Sequence, residues 1–423
     1  MNCAWLFALI AIVYSSTSCS RKETNELGPG AEDLLFHDVP QCENISNVLR
    51  RASIMVNLQW TPLNPVPNML GSYYPTGQVV LGVPYSSGQE MCTFVGQDVS
   101  FYTFLSAVNN PYSYLYTQDL SVPPYKGDLC RTYYGTVCSA AVDYALGLRF
   151  QYTTYMYKQL PFFSVVSNVF IDDISLCDLL LEEGHVGMIY DIVRDGNGRI
   201  SHVSVFESVH EGTKITEYSR SQFITKWNRV KWELLRYSKI KQTTADGSNY
   251  AFALGQTFEF NPCLSTAKGD RVTYAERDSI IVNIYGETQG ELIVMKDQLL
   301  FSSVQITGDS VVLSGLPCGD YEVYIMKKES SRSPSIYFDI VNTYADIAVD
   351  EKVTVRFNND SSTPICLVFC QLSHRYLAFH EIAEDDMARG YITVNPEERE
   401  AYYYKVLFQG KYGRVASALR RVK

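Results

Sequence analysis

Apolar and polar positions change rhythm near residue 240. Before it, apolar residues recur at helical spacing from Ile45 to Trp60, a stretch closed by Pro62, Pro65 and Pro67, and from Ser139 to Leu148, ended around Gly147. Both predict helices. After Asp246-Gly247 the pattern becomes strands and turns. Ser279 to Tyr285, Glu291 to Met295, Val311 to Leu313, Asp320 to Met326 and Ser335 to Val341 alternate or run apolar between polar breaks, the spacing of a β-sandwich. Lys352 to Phe357, Pro364 to Leu372, Gly390 to Val394 and Ala401 to Gln409 predict a second sandwich, with a boundary near Tyr344. In the first half, Glu183 to Val193 and Arg199 to Val209 flank Asp195-Gly196-Asn197-Gly198 and predict a hairpin. Gln97 to Lys126 carries Pro111, Pro123 and Pro124 and predicts a loop wall or lid over a cleft. Tyr102, Tyr112, Tyr114, Tyr116, Tyr125, Tyr133 and Tyr134 serve either a glycan or peptide groove or the core.

The amino terminus reads as an export leader. Ala4 to Tyr14 is an uncharged apolar run of 11 residues, too short to span a bilayer and suited to a signal h-region. Ser15 to Ser18 lead to Cys19 in a layout similar to a lipobox, where a lipoprotein is cut and its new terminal Cys acylated. An ordinary cleaved leader with an incidental Cys19 is the alternative, since Ser16 stands where Leu or Val is usual and Met1-Asn2-Cys3 is uncharged. The expectation is an exported bacterial lipoprotein of the periplasm or cell envelope, with residues 1–18 as signal, 19–41 as tether and a lipid anchor in the inner or outer membrane.

Composition narrows the classes. A chain of 423 residues has room for two to four domains, and with 46% apolar and 19% charged residues its body is globular. A net charge of −10 without a long Lys/Arg block sets nucleic acid aside as a partner. Eleven Cys less Cys3 and Cys19 leave nine, so at least one is free or pairs with another chain in an oxidising compartment. Cys366, Cys370, His374 and His380 invite a zinc reading, but the spacing is too tight to close a tetrahedral site and Thr363 to Leu372 reads as a buried strand. Asp195 to Arg199 lacks the bidentate Glu of a calcium loop. No metal and no cofactor is expected.

The chemistry gathers around a thiol. Gly135 and Thr136 break the structure before Cys138, and Ala141, Ala145 and Leu148 then follow at helical spacing, so Cys138 opens a helix whose amino end stabilises a thiolate. Ser139 and Ala140 are small enough to let a substrate approach, and an amide there can serve an oxyanion hole. His185 opens a hairpin strand, and Phe206 to Ser208 returns within cross-strand reach of it. Glu207 is the expected orienting carboxylate, with His202 and His210 as competitors.

Tyr134-Gly135-Thr136-Val137-Cys138-Ser139, Gly184-His185-Val186-Gly187-Met188-Ile189-Tyr190 and, upstream, Gly82-Val83-Pro84-Tyr85-Ser86 together resemble the NlpC-like cysteine peptidases, papain-like hydrolases of bacterial cell walls. The resemblance implies an α+β papain-like catalytic domain over residues 42–243 and says nothing of the carboxyl half, where the strand pattern predicts two small all-β immunoglobulin-like sandwiches over 250–343 and 345–423. It implies a Cys138, His185, Glu207 acyl-enzyme mechanism, with Tyr85, Ser86 and Ser139 at the substrate, and cleavage of γ-D-glutamyl to diamino-acid bonds in peptidoglycan stem peptides. Val137 departs from the family's Asp, which helps hold a substrate amine, so amidase action on another acylated amine or lipid stays open. A non-catalytic envelope protein binding glycan or peptide is the alternative from another class.

Overall fold

The computed structural model describes residues 43–88, 91–122, 130–166, 171–227, 232–241, 263–286, 290–327, 331–358, 363–370, 376–395 and 403–421. The leader, Cys19, the tether and the boundary between 243 and 250 lie outside the described residues.

Six strands form the sheet of the first half. They are β1 (Phe163–Val165), β2 (Leu179–Glu182), β3 (His185–Arg194), β4 (Ile200–Val209), β5 (Gly212–Ser219) and β6 (Trp232–Tyr237), in the spatial order β5-β4-β3-β2-β6-β1. Every neighbouring pair is antiparallel. The turn between β3 and β4 is closed by Asp195, whose Oδ1 accepts the amides of Asn197 and Arg199 at 2.9 Å each. That turn sets the register, with Met188 opposite Phe206 and Ile189 opposite Val205.

Four helices of this half are α1 (Ile45–Asn57), α2 (Phe101–Val108), α3 (Cys138–Leu146) and α4 (Arg220–Lys226). Asn44 caps α1 by accepting the Ser46 amide at 3.2 Å, and the helix buries Val48, Leu49, Ala52 and Met55. Gly147, at φ 71°, ends α3 in the left-handed conformation that glycine adopts at least cost. Arg51 of α1 donates from Nε to the Ala145 carbonyl at 2.8 Å, tying α1 to the end of α3. Ala141, Ala145 and Leu146 share one core with Val186, Met188 and Phe206 of the sheet. Ile189, Val203 and Val205 belong to a second core, covered by Phe223 of α4 and by Trp227.

The second half is two β-sandwiches. In the first, the three-stranded sheet of Leu264–Thr266, Ile280–Ile284 and Ser310–Leu313 faces a five-stranded sheet of Val272–Ala275, Glu291–Lys296, Leu299–Gln305, Gly319–Met326 and Ile336–Val341. Val282, Leu292, Val323 and Phe338 fill the space between. In the second, Ala345–Val349, Val353–Phe357 and Tyr391–Val394 face a sheet built on Thr363–Cys370 and Tyr403–Gln409. Val355, Leu367, Phe369 and Tyr404 form its core.

The Thr363–Cys370 strand explains its own apolar run, because both of its faces are buried. Leu367 and Phe369 enter the sandwich core, whereas Ile365, Cys366 and Val368 join the core of the first half. Cys366 is therefore a packing residue, and among the described residues no cluster of three or more His, Cys, Asp or Glu is placed to hold a metal. His374 lies outside them.

The joint also buries charge. Asp98 and Arg414 are 3.8 Å apart with side chains only 8% and 5% exposed, and the Arg414 amide donates to the Asp98 carbonyl at 3.1 Å. The other Asp98 carboxylate oxygen accepts the Phe94 amide at 3.1 Å. Burial raises the Asp98 carboxyl above its ordinary value, against the opposing pull of Arg414. The first sandwich is tied on by Thr103 donating to the Arg271 carbonyl at 2.8 Å and Asn110 to the Thr266 carbonyl at 2.9 Å.

Two expectations change. The α+β class is corrected to a mainly β chain, since strands outnumber α-helices 28 to six among the described residues. The helical signals of the first half were local and strong, but the sheet between them supplies more of the chain than they do. The stretch from Gln97 carries α2 and a short helix, Tyr114–Thr117, and Phe101, Phe104, Leu105 and Leu115 are buried in the core instead of standing over a cleft. Its tyrosines follow suit: Tyr133 and Tyr134 are buried, and Tyr112 stacks on Tyr285 of the first sandwich at 6.1 Å. Tyr125 lies outside the described residues.

Removing one partner of a buried ion pair leaves the other charge stranded. Arg414→Ala is expected to destabilise the chain by about 3–5 kcal/mol. Thermal unfolding of the purified variant measures it, and an unchanged midpoint would show that the joint does not depend on this pair.

Candidate active site

The elements that meet at Cys138 do so because the chain before α3 is pinned. Tyr85 and Ser86 run alongside Gly135 and Thr136, with the Ser86 amide donating to the Thr136 carbonyl at 3.1 Å and the Thr136 amide to the Pro84 carbonyl at 2.9 Å. Gly135 is required by this close approach, since a Cβ there would lie 2.6 Å from the Ser86 Cβ and 2.8 Å from the Pro84 carbonyl oxygen. On its other side the strip is held by Thr213, whose hydroxyl accepts the Val83 amide at 2.8 Å and donates to the Met55 carbonyl at 2.9 Å.

Cys138 then opens α3. Its N-cap residue is Val137, which makes no side-chain cap bond, so the first-turn amides are not consumed by a cap and have no intrahelical acceptor. The Cys138 side chain is buried, with its Sγ 3.9 Å from the Gly184 carbonyl oxygen. Gly184 directly precedes His185, which places the thiol at the start of β3.

His185 Nε2 and Glu207 Oε2 lie 3.0 Å apart. The side chain of Glu207 is 3% exposed and that of His185 21%. The hydroxyls of Thr216 and Tyr218 on β5 each approach the other Glu207 oxygen at 3.4 Å. Trp227 lies nearly parallel to the imidazole, at 6.1 Å and 15°. Gly187 makes room for that ring, because a Cβ there would come within 2.9 Å of Val205 and 3.4 Å of Trp227.

The electrostatics follow from this packing. Burial works against a charged imidazole, but hydrogen bonds to Cys138 and Glu207 outweigh it and hold His185 up at about 10. Burial works against a charged Glu207 as well, yet its bond to His185, with Lys226 and Lys214 nearby, keeps it below its ordinary value. With Nε2 on Glu207, Nδ1 is left for Cys138. A buried carboxylate, an imidazole and the Cys138 sulfur thus follow one another, as do the orienting group, base and nucleophile used in acyl transfer.

The structure sorts the remaining candidates. Cys138, His185 and Glu207 come together. Tyr85 borders them in a small apolar cluster with Val137, Phe94 and Ala140, its ring edge-on to His210 at 5.6 Å. The Ser86 hydroxyl turns away and donates to the Thr132 carbonyl at 2.7 Å. Ser139 is buried, with its hydroxyl toward Gln151 at 3.5 Å and its carbonyl 3.2 Å from the Tyr157 hydroxyl. His202 sits opposite Ser219 toward the far end of the hairpin, and exposed His210 makes its contact with Tyr85. Thr216, Tyr218 and Trp227 were not anticipated; only the β4–β5 register shows that Thr216 and Tyr218 share a face with Glu207.

No family model matches the sequence, and no curated protein matches it. Among solved structures, fibronectin(III)-like modules of Clostridium thermocellum CbhA align at 12% identity and a TM-score of 0.19, over 35% of this chain and 85% of that one. The CD2-binding domain of CD58 aligns at 10% and 0.20, covering 36% of this chain and 96% of that one. Domains 3 and 4 of rat CD4 align at 11% and 0.22, covering 36% and 97%. The strand pairing of the chain itself shows that its second half is two β-sandwiches. The NlpC-like, papain-like assignment is corrected: no family model supports it, and strands outnumber α-helices 28 to six among the described residues. Three short motifs carried it, and they covered only the surroundings of Cys138 and His185.

The raised imidazole gives a signed expectation. Its folded value exceeds the ordinary 6.5, so the charged ring stabilises the fold fully below that pH and the contribution is lost as pH rises through about 10. Glu207→Gln removes one of the two partners and is expected to bring the His185 midpoint down toward 6.5. An NMR titration of the imidazole reads this, and the same midpoint in both proteins would show that Glu207 does not support the charge.

Proposed function

We propose that this chain is an exported cysteine hydrolase that cleaves an amide bond by acyl transfer. The carrying observation is the buried Glu207 carboxylate, 3.0 Å from the His185 that serves Cys138 at the uncapped start of α3. A binding module gains nothing from burying a carboxylate to hold an imidazole against a thiol.

The Cys138 thiolate attacks the amide carbonyl, and the oxygen of the tetrahedral intermediate is held by first-turn amides of α3. The carbon–nitrogen bond breaks as the His185 imidazolium gives its proton to the leaving amine. Neutral His185 next takes a proton from water, whose oxygen attacks the thioester; the carbon–sulfur bond breaks, a carboxylic acid leaves, and the Cys138 thiolate and His185 imidazolium are restored. Glu207 remains ionised and holds the ring. Cys19, acylated, anchors the chain at the inner or outer membrane and keeps it at the cell envelope.

Two envelope substrate classes fit this chemistry. The first is the peptidoglycan stem peptide, cut at a γ-D-glutamyl to diamino-acid bond. The second is an acylated amine or lipid, favoured by the apolar Val137 next to Cys138.

Mass spectrometry of peptidoglycan fragments and of N-acyl amides, incubated with wild type and with Cys138→Ala, tests the reading. A product formed by wild type and reduced at least about 10³-fold in the variant is the expected result. Equal turnover by the two proteins would remove Cys138 from the chemistry.

A further inference from the structure

The helix that presents Cys138 also carries an acid that the acyl-transfer steps do not use. Asp143 stands a turn and a half further along α3 and is fully buried. Its Oδ2 accepts the Tyr152 amide at 2.6 Å, and its Oδ1 lies 2.7 Å from the Tyr157 hydroxyl. Neither partner is a cation, so an ionised Asp143 would be a buried charge with no counter-charge bonded to it.

The hydrogen-bond count decides its state. The Tyr157 hydroxyl also lies 3.2 Å from the Ser139 carbonyl oxygen, so its one proton faces two acceptors. With Asp143 ionised, that proton goes to the carboxylate and the contact with Ser139 is left without a hydrogen. With Asp143 protonated, the acid donates to the Tyr157 oxygen, Tyr157 donates to the Ser139 carbonyl, and both contacts are hydrogen bonds. Burial also pushes the Asp143 carboxyl well above its ordinary value, against the bonds from Tyr157 and Tyr152, and the nearby Cys138 adds to the rise. Tyr157 is fully buried as well, and burial, followed by Asp143, keeps its phenol proton in place. The titratable groups that face Asp143 are Cys138 on its own helix and Tyr152 and Tyr157 on the segment packed against it. Glu381 and Cys366 of the second sandwich and Tyr237 of β6 act on Tyr152.

We propose that Asp143 and Tyr157 are a positioning pair for the nucleophile: the protonated acid donates to Tyr157, Tyr157 donates to the Ser139 carbonyl, and the first turn of α3 is held with no buried negative charge near the Cys138 sulfur. This rests on the cysteine-hydrolase reading and deepens it. An ionised carboxylate on the same helix would oppose the negative charge that the sulfur carries into attack, whereas the neutral acid fixes the turn and leaves charge stabilisation to His185.

The test uses the full chain. Asp143→Asn is the conservative variant, whose Nδ2 donates to Tyr157 and whose Oδ1 accepts the Tyr152 amide, and Tyr157→Phe breaks the relay at similar volume. Thermal unfolding of wild type and Asp143→Asn is compared between pH 5 and pH 7. A carboxyl raised in the folded state contributes stability that is fully present below its unfolded value and is lost as pH rises through its folded value. The midpoint of wild type is therefore expected to fall relative to that of Asp143→Asn as pH rises across this range. Alkylation of Cys138 by iodoacetamide at pH 7, read by peptide mass spectrometry, is expected to fall about fivefold in Tyr157→Phe, the loss of one buried hydrogen bond, and to be retained within about twofold in Asp143→Asn. A midpoint difference that stays constant or changes in the opposite sense, or an Asp143→Asn that alkylates about fivefold or more faster than wild type, shows an ionised Asp143 and overturns the proposal. Equal rates in wild type and Tyr157→Phe overturn the positioning role. A wild-type Cys138 no more reactive than the other cysteines overturns the cysteine-hydrolase reading and the positioning role with it, while the unfolding comparison still reports the proton on Asp143.

Discussion

A carboxylate with almost no access to water is the constraint on which the rest of this site depends. Glu207 lies inside a sheet, where an unpaired charge is costly, and His185 is what makes that charge tolerable. The dependence is mutual, because the imidazole keeps its proton only through Glu207 and Cys138. Much nearby structure serves this pair. Gly187 admits the Trp227 ring beside the imidazole, Thr216 and Tyr218 approach the second carboxylate oxygen, and the β3–β4 register brings the two residues within a hydrogen bond. The orientation of the thiol is set separately, by the strip from Val83 to Ser86 wedged between β5 and the approach to α3.

The sandwiches are part of the same folded unit. One strand of the second sandwich is buried on both faces, so the first half lacks part of its core without it. The Asp98–Arg414 pair sits at that joint, on the segment that leads into α2. The first sandwich holds the same segment from the other side through Thr103 and Asn110. Domains attached in this way brace the first half, which distinguishes them from modules swinging on linkers.

Local signals in the sequence were read well. Asp195 to Gly198 does close a hairpin, α3 does begin at Cys138 and end at Gly147, and the nine sandwich strands that were expected fall within two residues of their expected ends, while others such as Val272–Ala275 and Leu299–Gln305 were not anticipated. Pairing across long separations was not legible. Val272–Ala275 pairs in parallel with Ile336–Val341, and Asp98 meets Arg414, through no local pattern. The Thr363–Cys370 strand showed its burial as an apolar run but not that two different cores divide its side chains. The same limit applied at the site: hairpin reach pointed to Glu207, whereas the contributions of Thr216, Tyr218 and Trp227 require the register and the far face of the sheet. The fold class failed for a related reason. Helices flanking a nucleophile outweighed strands whose alternation was weaker but whose number was greater.

The account stands on Cys138 being held as a nucleophile by His185. The most direct measurement is the rate of Cys138 alkylation by plain iodoacetamide at pH 7 in wild type and in His185→Ala. The account predicts a rate about tenfold or more higher in wild type, where the neighbouring imidazole assists the sulfur. Equal rates for the two proteins would contradict it.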